Sequence, residues 1–353
     1  MTTPLQPASS ARSAELLLAL TPGIGPRLRK ALLDHFGSAE AVIGAMASDL
    51  RAVPGIGQKL SRSIIAARQE IDVEAELEDC RDHGITVLVE SEESYPQSLR
   101  TIPDPPGVLF LQGDLLPSDG LAVAIVGTRH ATQYGIAQAE RFAAGLVRAG
   151  YCIVSGLARG IDAAAHRGAL KAHGRTLAVL GSGVLNVYPP EHESLANDIA
   201  KSGAIISENP PRSPPLSGAF PQRNRIITGL SLGLIVIEAS DRSGALISAR
   251  HAMEQGRDVF ALPGRVDSRA SHGCHKLIRD GAKLVETVDD VLEELGPLAT
   301  PVPASDESSP PIRHPAELLL NEPEKAVLAA IDDEPINIDA VIIATGLPVQ
   351  NVL

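Results

Sequence analysis

The stretch "LAVAIVGTRHATQYG", residues 121–135, opens with an unbroken apolar run and breaks at Gly127-Thr128-Arg129. An apolar run without polar alternation reads as a strand buried on both faces, the habit of parallel sheets. The unit recurs downstream as "CIVSG" (152–156), "TLAVLG" (176–181), "AIIS" (204–207), "LIVIEA" (234–239) and "VFALPG" (259–264), with segments of helical period between them. Strands alternating with helix-length spacers predict βαβ crossovers and a doubly wound, mostly parallel sheet of the α/β class. "AKLVET" (282–287) offers a last strand, and "ITVLV" (85–89) and "GVLFLQG" (107–113) offer two earlier ones. This domain is read as 84–296.

Upstream lies an internal repeat. "LTPGIGPRL" (20–28) and "AVPGIGQKL" (52–60) match at an offset of 32 residues, each leading into a helical apolar pattern. Residues 13–83 are therefore read as a helical domain with two Gly-Ile-Gly hairpins, preceded by a loose tail over 1–12. Downstream, 297–316 is rich in Pro, Ser and Ala and reads as a linker. Residues 317–353 hold two short helical patterns, and a third would begin near Pro348, so they read as a partial winged-helix-like domain.

Composition is that of an ordinary globular chain: 353 residues, 44% hydrophobic and 21% charged. No apolar run approaches membrane-spanning length and no secretory pattern opens the chain, so no membrane association is expected. Three scattered cysteines imply no disulfide framework and fit a reducing cytoplasm. The formal net charge of -12 is local. From Glu286 onward there are 14 acidic and two basic residues, while the rest of the chain is balanced. Acidity overall does not exclude a nucleic-acid partner, because a local basic groove decides that.

Ligands of an open parallel sheet bind beyond the strands' carboxyl ends. The residues there are Gly127-Thr128-Arg129, Ser155-Gly156-Leu157, Gly181-Ser182-Gly183, Glu208-Asn209-Pro210 and Glu238-Ala239-Ser240. Small residues let an anion approach backbone amides and helix N-termini. The segment "NPPRSPPLSGAFPQRNRIITG" (209–229) adds three arginines and no acid. Arg223 and Arg225 can grip phosphates, with Asn224 between them, and Phe220 can stack on a base. The plain alternatives are a structural salt bridge for Arg225 and core packing for Phe220. There is no G-x-x-x-x-G-K-[ST] loop, and "GSGVLN" lacks the third glycine of a dinucleotide fingerprint. "SHGCHK" (271–276) crowds His272, Cys274 and His275 too closely for a zinc tetrahedron. No metal or cofactor is expected. Asp162 and His166 read as a helix cap and a surface histidine. A candidate second DNA site lies in the hairpins, where Gly23, Gly25 and Arg27 in one copy, and Gly55, Gly57 and Lys59 in the other, can offer amides and a cation to a phosphate.

These segments together resemble the DprA/Smf family of DNA-processing proteins, in the family's order and over nearly the whole chain. The resemblance rests on "VGTRHATQYG", "SGLARGIDAAAHRGAL", "TLAVLGSGVLNVYPPEH", "SENPP", "FPQRNRIITGLS", "SGALISARHAMEQGRDVFALPG" and "GCHKLIRDGA". It implies an N-terminal helical (SAM-like) domain, an extended Rossmann-like domain and a winged-helix domain. It also implies a non-catalytic, dimeric protein that binds incoming single-stranded DNA, protects it and helps load the recombinase RecA during natural transformation. Arg129 should then hold a phosphate, the Ser155-Gly156 and Gly181-Ser182-Gly183 loops should line its pocket, and Phe220, Arg223, Asn224 and Arg225 should complete it. The apolar pair Leu277-Ile278 is the expected dimer seam. Two positions depart from the family: Pro190 stands where many relatives carry lysine, and His275 where relatives often show asparagine. The rival reading is a nucleotide-processing, phosphoribohydrolase-like enzyme with Glu208 or Glu238 as acid or base. It is weakened by the missing Pro-Gly-Gly-x-Gly-Thr loop.

Overall fold

The computed structural model describes residues 7–296, 327 and 338–347. The expected linker lies outside these residues. Of the winged-helix-like segment, one helix, Ile338–Thr345, is described in full.

Nine strands form one sheet: β1 (Thr86–Val89), β2 (Val108–Gly113), β3 (Ala122–Val126), β4 (Cys152–Ser155), β5 (Thr176–Val179), β6 (Ala204–Ser207), β7 (Gly233–Val236), β8 (Asp258–Ala261) and β9 (Lys283–Leu284). Their order is β1-β2-β6-β5-β4-β3-β7-β8-β9. The seven strands from β6 across to β9 are parallel, and β2 and β1 continue the β6 edge antiparallel. Each apolar run of the sequence became a strand because each faces a core on both sides. On β3, Ala122, Ala124 and Val126 enter one core, while Val123 and Ile125 enter the other. From β3 the chain winds outward to β6, then returns to place β7 on β3's other side. The switch point of the sheet is therefore the β3/β7 pair.

A helical domain precedes the sheet: α1 (Pro7–Leu20), α2 (Pro26–Phe36), α3 (Ala39–Gly44), α4 (Ala47–Leu50), α5 (Gln58–Glu70) and α6 (Val73–Asp82). Helix α1 starts inside the segment read as a loose tail. Arg12 holds that turn, donating to the Val87 carbonyl at 2.7 Å and pairing with Glu92 at 3.3 Å. The two hairpins pack reciprocally. Gly23 and Gly55 both sit at φ +88, and a Cβ on Gly23 would meet Leu60 at 2.7 Å while one on Gly55 would meet Leu28 at 2.9 Å. Each glycine thus receives the leucine of the other copy, which explains the repeat at matched register. The domain docks on the antiparallel edge. Leu16, Val73 and Cys80 share a core with Val87 and Phe110, and buried Arg29 reaches Glu90 at 2.6 Å.

The sheet is covered by α7 (Gln97–Arg100), α8 (Gln133–Arg148), α9 (Ile161–Lys171), α10 (Glu193–Ser202), α11 (Ala219–Gly229), α12 (Ala245–Glu254), α13 (His272–Arg279) and α14 (Val288–Leu295). Helices α11, α12 and α13 pack on one face, α8, α9 and α14 on the other. Thr132 starts α8 by accepting the Gly135 amide at 3.1 Å. The expected dimer seam, Leu277-Ile278, lies on α13. Leu277 is 7% exposed and belongs to the core, and Ile278 packs against that core from its edge. Burial against the sheet accounts for Leu277, while Ile278 keeps a half-buried face at the edge of α13.

Candidate nucleic-acid interface

A cleft of about 650 Å³ opens where β3 and β7 end. One wall is the turn after β3, Gly127 to His130. The opposite wall is the first turn of α11 with the segment leading into α12. The switch point brings these walls together, since strands on its two sides send their crossovers to opposite faces.

Arg223 lies deep in this cleft, 4% exposed. Its Nε and Nη1 have no hydrogen-bond partner. Burial lowers its pKa to about 10, against the opposing pull of the Asp162 carboxylate, so it stays cationic at neutral pH. A Cβ on Gly156 would collide with this guanidinium, so the glycine after β4 is there to let Arg223 lie across the backbone. Asp162, in the first turn of α9, accepts the Ala158 amide at 3.4 Å. Its carboxyl is pushed up by burial, and Arg223 restrains that rise.

Arg129 is exposed on the rim, its guanidinium carbon 5.4 Å from the centre of the Phe220 ring. Tyr188 flanks the same ring at 5.5 Å, tilted by 49°. Phe220 is therefore a half-buried platform between a cation and an aromatic, and not core packing. Asn224 lines the cleft and donates to the Gly244 carbonyl at 3.5 Å, tying α11 to the start of α12. Thr128 donates its amide to the Glu238 carbonyl at 2.7 Å, which joins the two sides of the switch point.

Other expected residues lie elsewhere. Arg225 is 1% exposed and turned away from this cleft. It meets Glu208 at 2.6 Å and Asp104 at 3.4 Å, so the salt-bridge alternative is the one the fold uses. Two residues along a helix is about 200°, which sends Arg223 and Arg225 to opposite faces. Ser155 spends its hydroxyl on the Ile125 carbonyl at 2.6 Å. The loop of Gly181, Ser182 and Gly183 is buried: the 210–213 segment lies over Gly183, and the Phe220 ring lies over Gly181. The Ser155 hydroxyl serves a strand tie and the glycines close packing, while the Ser182 hydroxyl is buried without a partner. His166, read as a surface residue, is fully buried.

The two carboxylates of the enzyme reading are also engaged. Glu208 holds Arg225, and burial raises its pKa. Glu238 accepts the Thr132 amide at 2.9 Å and its hydroxyl at 2.6 Å. Among the described residues no group of three or more His, Cys, Asp or Glu could hold a metal. No helix among them is long and apolar enough to cross a membrane. In the helical domain Gly25 and Gly57 cap α2 and α5 in extended conformation, and Arg27 and Lys59 are exposed beside them.

Sequence reasoning passed over Tyr188 and Ser243 as cleft residues, while Ser240 lines the cleft at the strand end where it was placed. Tyr188 lies several residues beyond its strand. Its signal was scarcity, as one of four tyrosines and five phenylalanines in the chain.

The architecture defines an extended Rossmann-like protein with a cationic cleft at the switch point, joined to a tandem of helical hairpins. A family model described as DNA recombination-mediator protein A matches residues 86–296, and one for a SAM-like helix-hairpin-helix tandem matches 14–70. The protein Smf of Synechocystis sp. is 37% identical over 98% of this chain and 94% of its own. The DNA processing protein DprA of Bacillus subtilis is 45% identical over 61% of this chain and 73% of its own. The solved structure of DprA from Streptococcus pneumoniae superposes with a TM-score of 0.70 at 36% identity, covering 80% of this chain and 97% of that one. A DprA structure from Helicobacter pylori, described for its single-stranded DNA binding mode, gives 0.54 at 31% identity over 60% and 95%. The chain belongs to the DprA/Smf family of DNA-processing proteins.

Proposed function

We propose that the chain binds single-stranded DNA without base specificity in the β3/β7 cleft, protects it, and helps load RecA during DNA uptake, acting as a homodimer. The observation that carries the DNA reading is Arg223: a buried guanidinium with two unpaired nitrogens facing a cleft. Such a group is costly unless an anion completes it. Arg129 supplies a second cation at the rim, and Phe220 a face for any base. Gly127 and Thr128 provide the narrow backbone turn beneath the strand. The H. pylori relative's described binding mode supports the same ligand. Protection, RecA loading and self-association follow from family membership, and no residues are assigned to them.

A salt titration tests the ligand. With Arg129 and Arg223 each neutralising one phosphate, log affinity for a short oligo-dT should fall against log salt with a slope of about -1.4 per protomer. A duplex of equal length should bind more weakly, because its stacked bases cannot reach Phe220. Equal affinity for duplex, or displacement and turnover of mononucleotides, would replace this reading with the enzyme one.

A further inference from the structure

The first hairpin and the start of α11 enclose a second cleft of about 380 Å³, lined among others by Gly25, Arg27, Asp104, Gln222, Arg225 and His251. It adjoins the first. Pro221 lines both, and on α12 Ile247 and Ser248 face the first cleft while His251, one turn on, faces the second. A chain leaving Phe220 over Pro221 arrives at the hairpin.

Two independent features there want a ligand. Gly25 starts α2 without a side-chain cap, and the first bond of that helix runs from the Arg29 amide to the Gly25 carbonyl at 2.9 Å. Pro26 has no N–H, so the amides of Arg27 and Leu28 are the free donors at that end. Separately, Arg225 commits its Nη2 to Glu208 and holds Asp104 beside its Nε, but its Nη1 is buried with no partner. Pro26, Leu28 and Pro221 supply apolar walls. The second hairpin offers the same turn, yet Gly57 and Lys59 line neither cleft.

We propose that this second cleft holds one further nucleotide of the strand that fills the first, with its phosphate on the Arg27 and Leu28 amides and neutralised by the Arg27 guanidinium, and its base between the proline walls. The inference rests on the single-strand reading of the first cleft. The Arg225 Nη1 donates to the base edge. Every base offers an acceptor there, so no sequence preference is required. Only the first of the two hairpins takes part.

The test is anisotropy with oligo-dT strands from about four to about sixteen nucleotides. Affinity should rise in a step at the length that spans both clefts, and the salt slope should steepen by about 0.7 at the same length. Arg27→Glu and Gln222→Trp should each erase the step, about tenfold, and leave the shortest strands unaffected. Lys59→Glu should leave the step intact. A step that survives Arg27→Glu and Gln222→Trp, or that Lys59→Glu removes equally, overturns the proposal. Short strands that bind equally well to wild type and Arg223→Ala would overturn the first-cleft reading, and this one with it.

Discussion

The ends of β3 and β5 carry the same chemistry in sequence, a glycine followed by a small hydroxyl residue, and the fold treats them oppositely. At β3 the Gly127–Arg129 turn borders an open cleft. At β5 the Gly181–Gly183 turn is covered, and the Ser182 carbonyl accepts the Ser207 hydroxyl at 2.7 Å. The difference comes from position in the sheet. β3 lies at the switch point, where its two neighbours send their crossovers apart. β5 lies between β4 and β6, inside one winding direction, and the loop after β6 closes over it. Composition at a strand end thus says that a backbone comes close, and topology says whether that backbone is a ligand or the chain itself. Arg223 and Arg225 repeat the contrast on one helix: Arg225 is matched by Glu208 and Asp104, whereas Arg223 makes no ion pair among the described residues, and each keeps a buried Nη1 without a partner.

The largest effect that can break this contrast is on stability. Arg225→Leu removes the partner of Glu208, a carboxylate only 11% exposed, and should cost about 3–5 kcal/mol in urea unfolding. Adding Glu208→Gln should recover much of that loss, because the uncompensated charge goes with it. A fold unmoved by Arg225→Leu would show that the arginine is not structural. The arginines would then be equivalent, and the salt-bridge reading of Arg225 would fail.

Binding comes next. Arg223→Gln should weaken affinity for short oligo-dT by about 1.5–3 kcal/mol, roughly tenfold or more. Its stability loss should be smaller than that of Arg225→Leu, since the guanidinium's Nε and Nη1 bond to nothing that folding would lose. Unchanged affinity in anisotropy would remove Arg223 from the site. If Arg223→Gln also unfolds the protein as Arg225→Leu does, the division of labour on α11 fails.

The strands were legible because burial on both faces forces apolar runs, and so was the hairpin repeat at an offset of 32 residues, in which each glycine answers the leucine of the other copy. The register of α11 was not. "RNR" reads as a cationic cluster, and only the 3.6-residue turn separates its members. The pair Leu277-Ile278 shows a related limit of pattern: an apolar pair marks a buried face without saying whether this chain or a second copy buries it, and here this chain buries Leu277 and leaves Ile278 half-buried. Tyr188 was invisible because it enters the cleft from a loop with no fixed offset from its strand. Arg129, at a strand end on the switch point, was the residue that pattern and topology placed together.

The smallest effect concerns the floor of the open end. His166 stands one turn beyond Asp162 on α9 and is fully buried, its Nδ1 2.7 Å from the Thr176 hydroxyl. That hydroxyl gives its hydrogen to the Ile153 carbonyl at 2.8 Å, so the histidine donates from Nδ1, and its buried Nε2 has no partner for a second proton. Burial, with Arg223 nearby, lowers its pKa from 6.5 to about 3. An unfolded chain takes up this proton near 6.5, the folded one only near 3, so between those values the unfolded state binds more protons. The stability contributed by the neutral imidazole is therefore complete above about 6.5 and is lost as pH falls. Asp162 and Glu208, both raised, act in the opposite sense, so the comparison must be with a variant. Between pH 7 and pH 5 the wild type should lose about 2 kcal/mol more stability than His166→Asn, measured by urea unfolding at each pH. Parallel pH profiles would mean that His166 takes up a proton in the folded protein. Arg223 would then share the cleft floor with a second cation, and the contrast between an open end built for an anion and a closed end built for packing would need a different electrostatic basis.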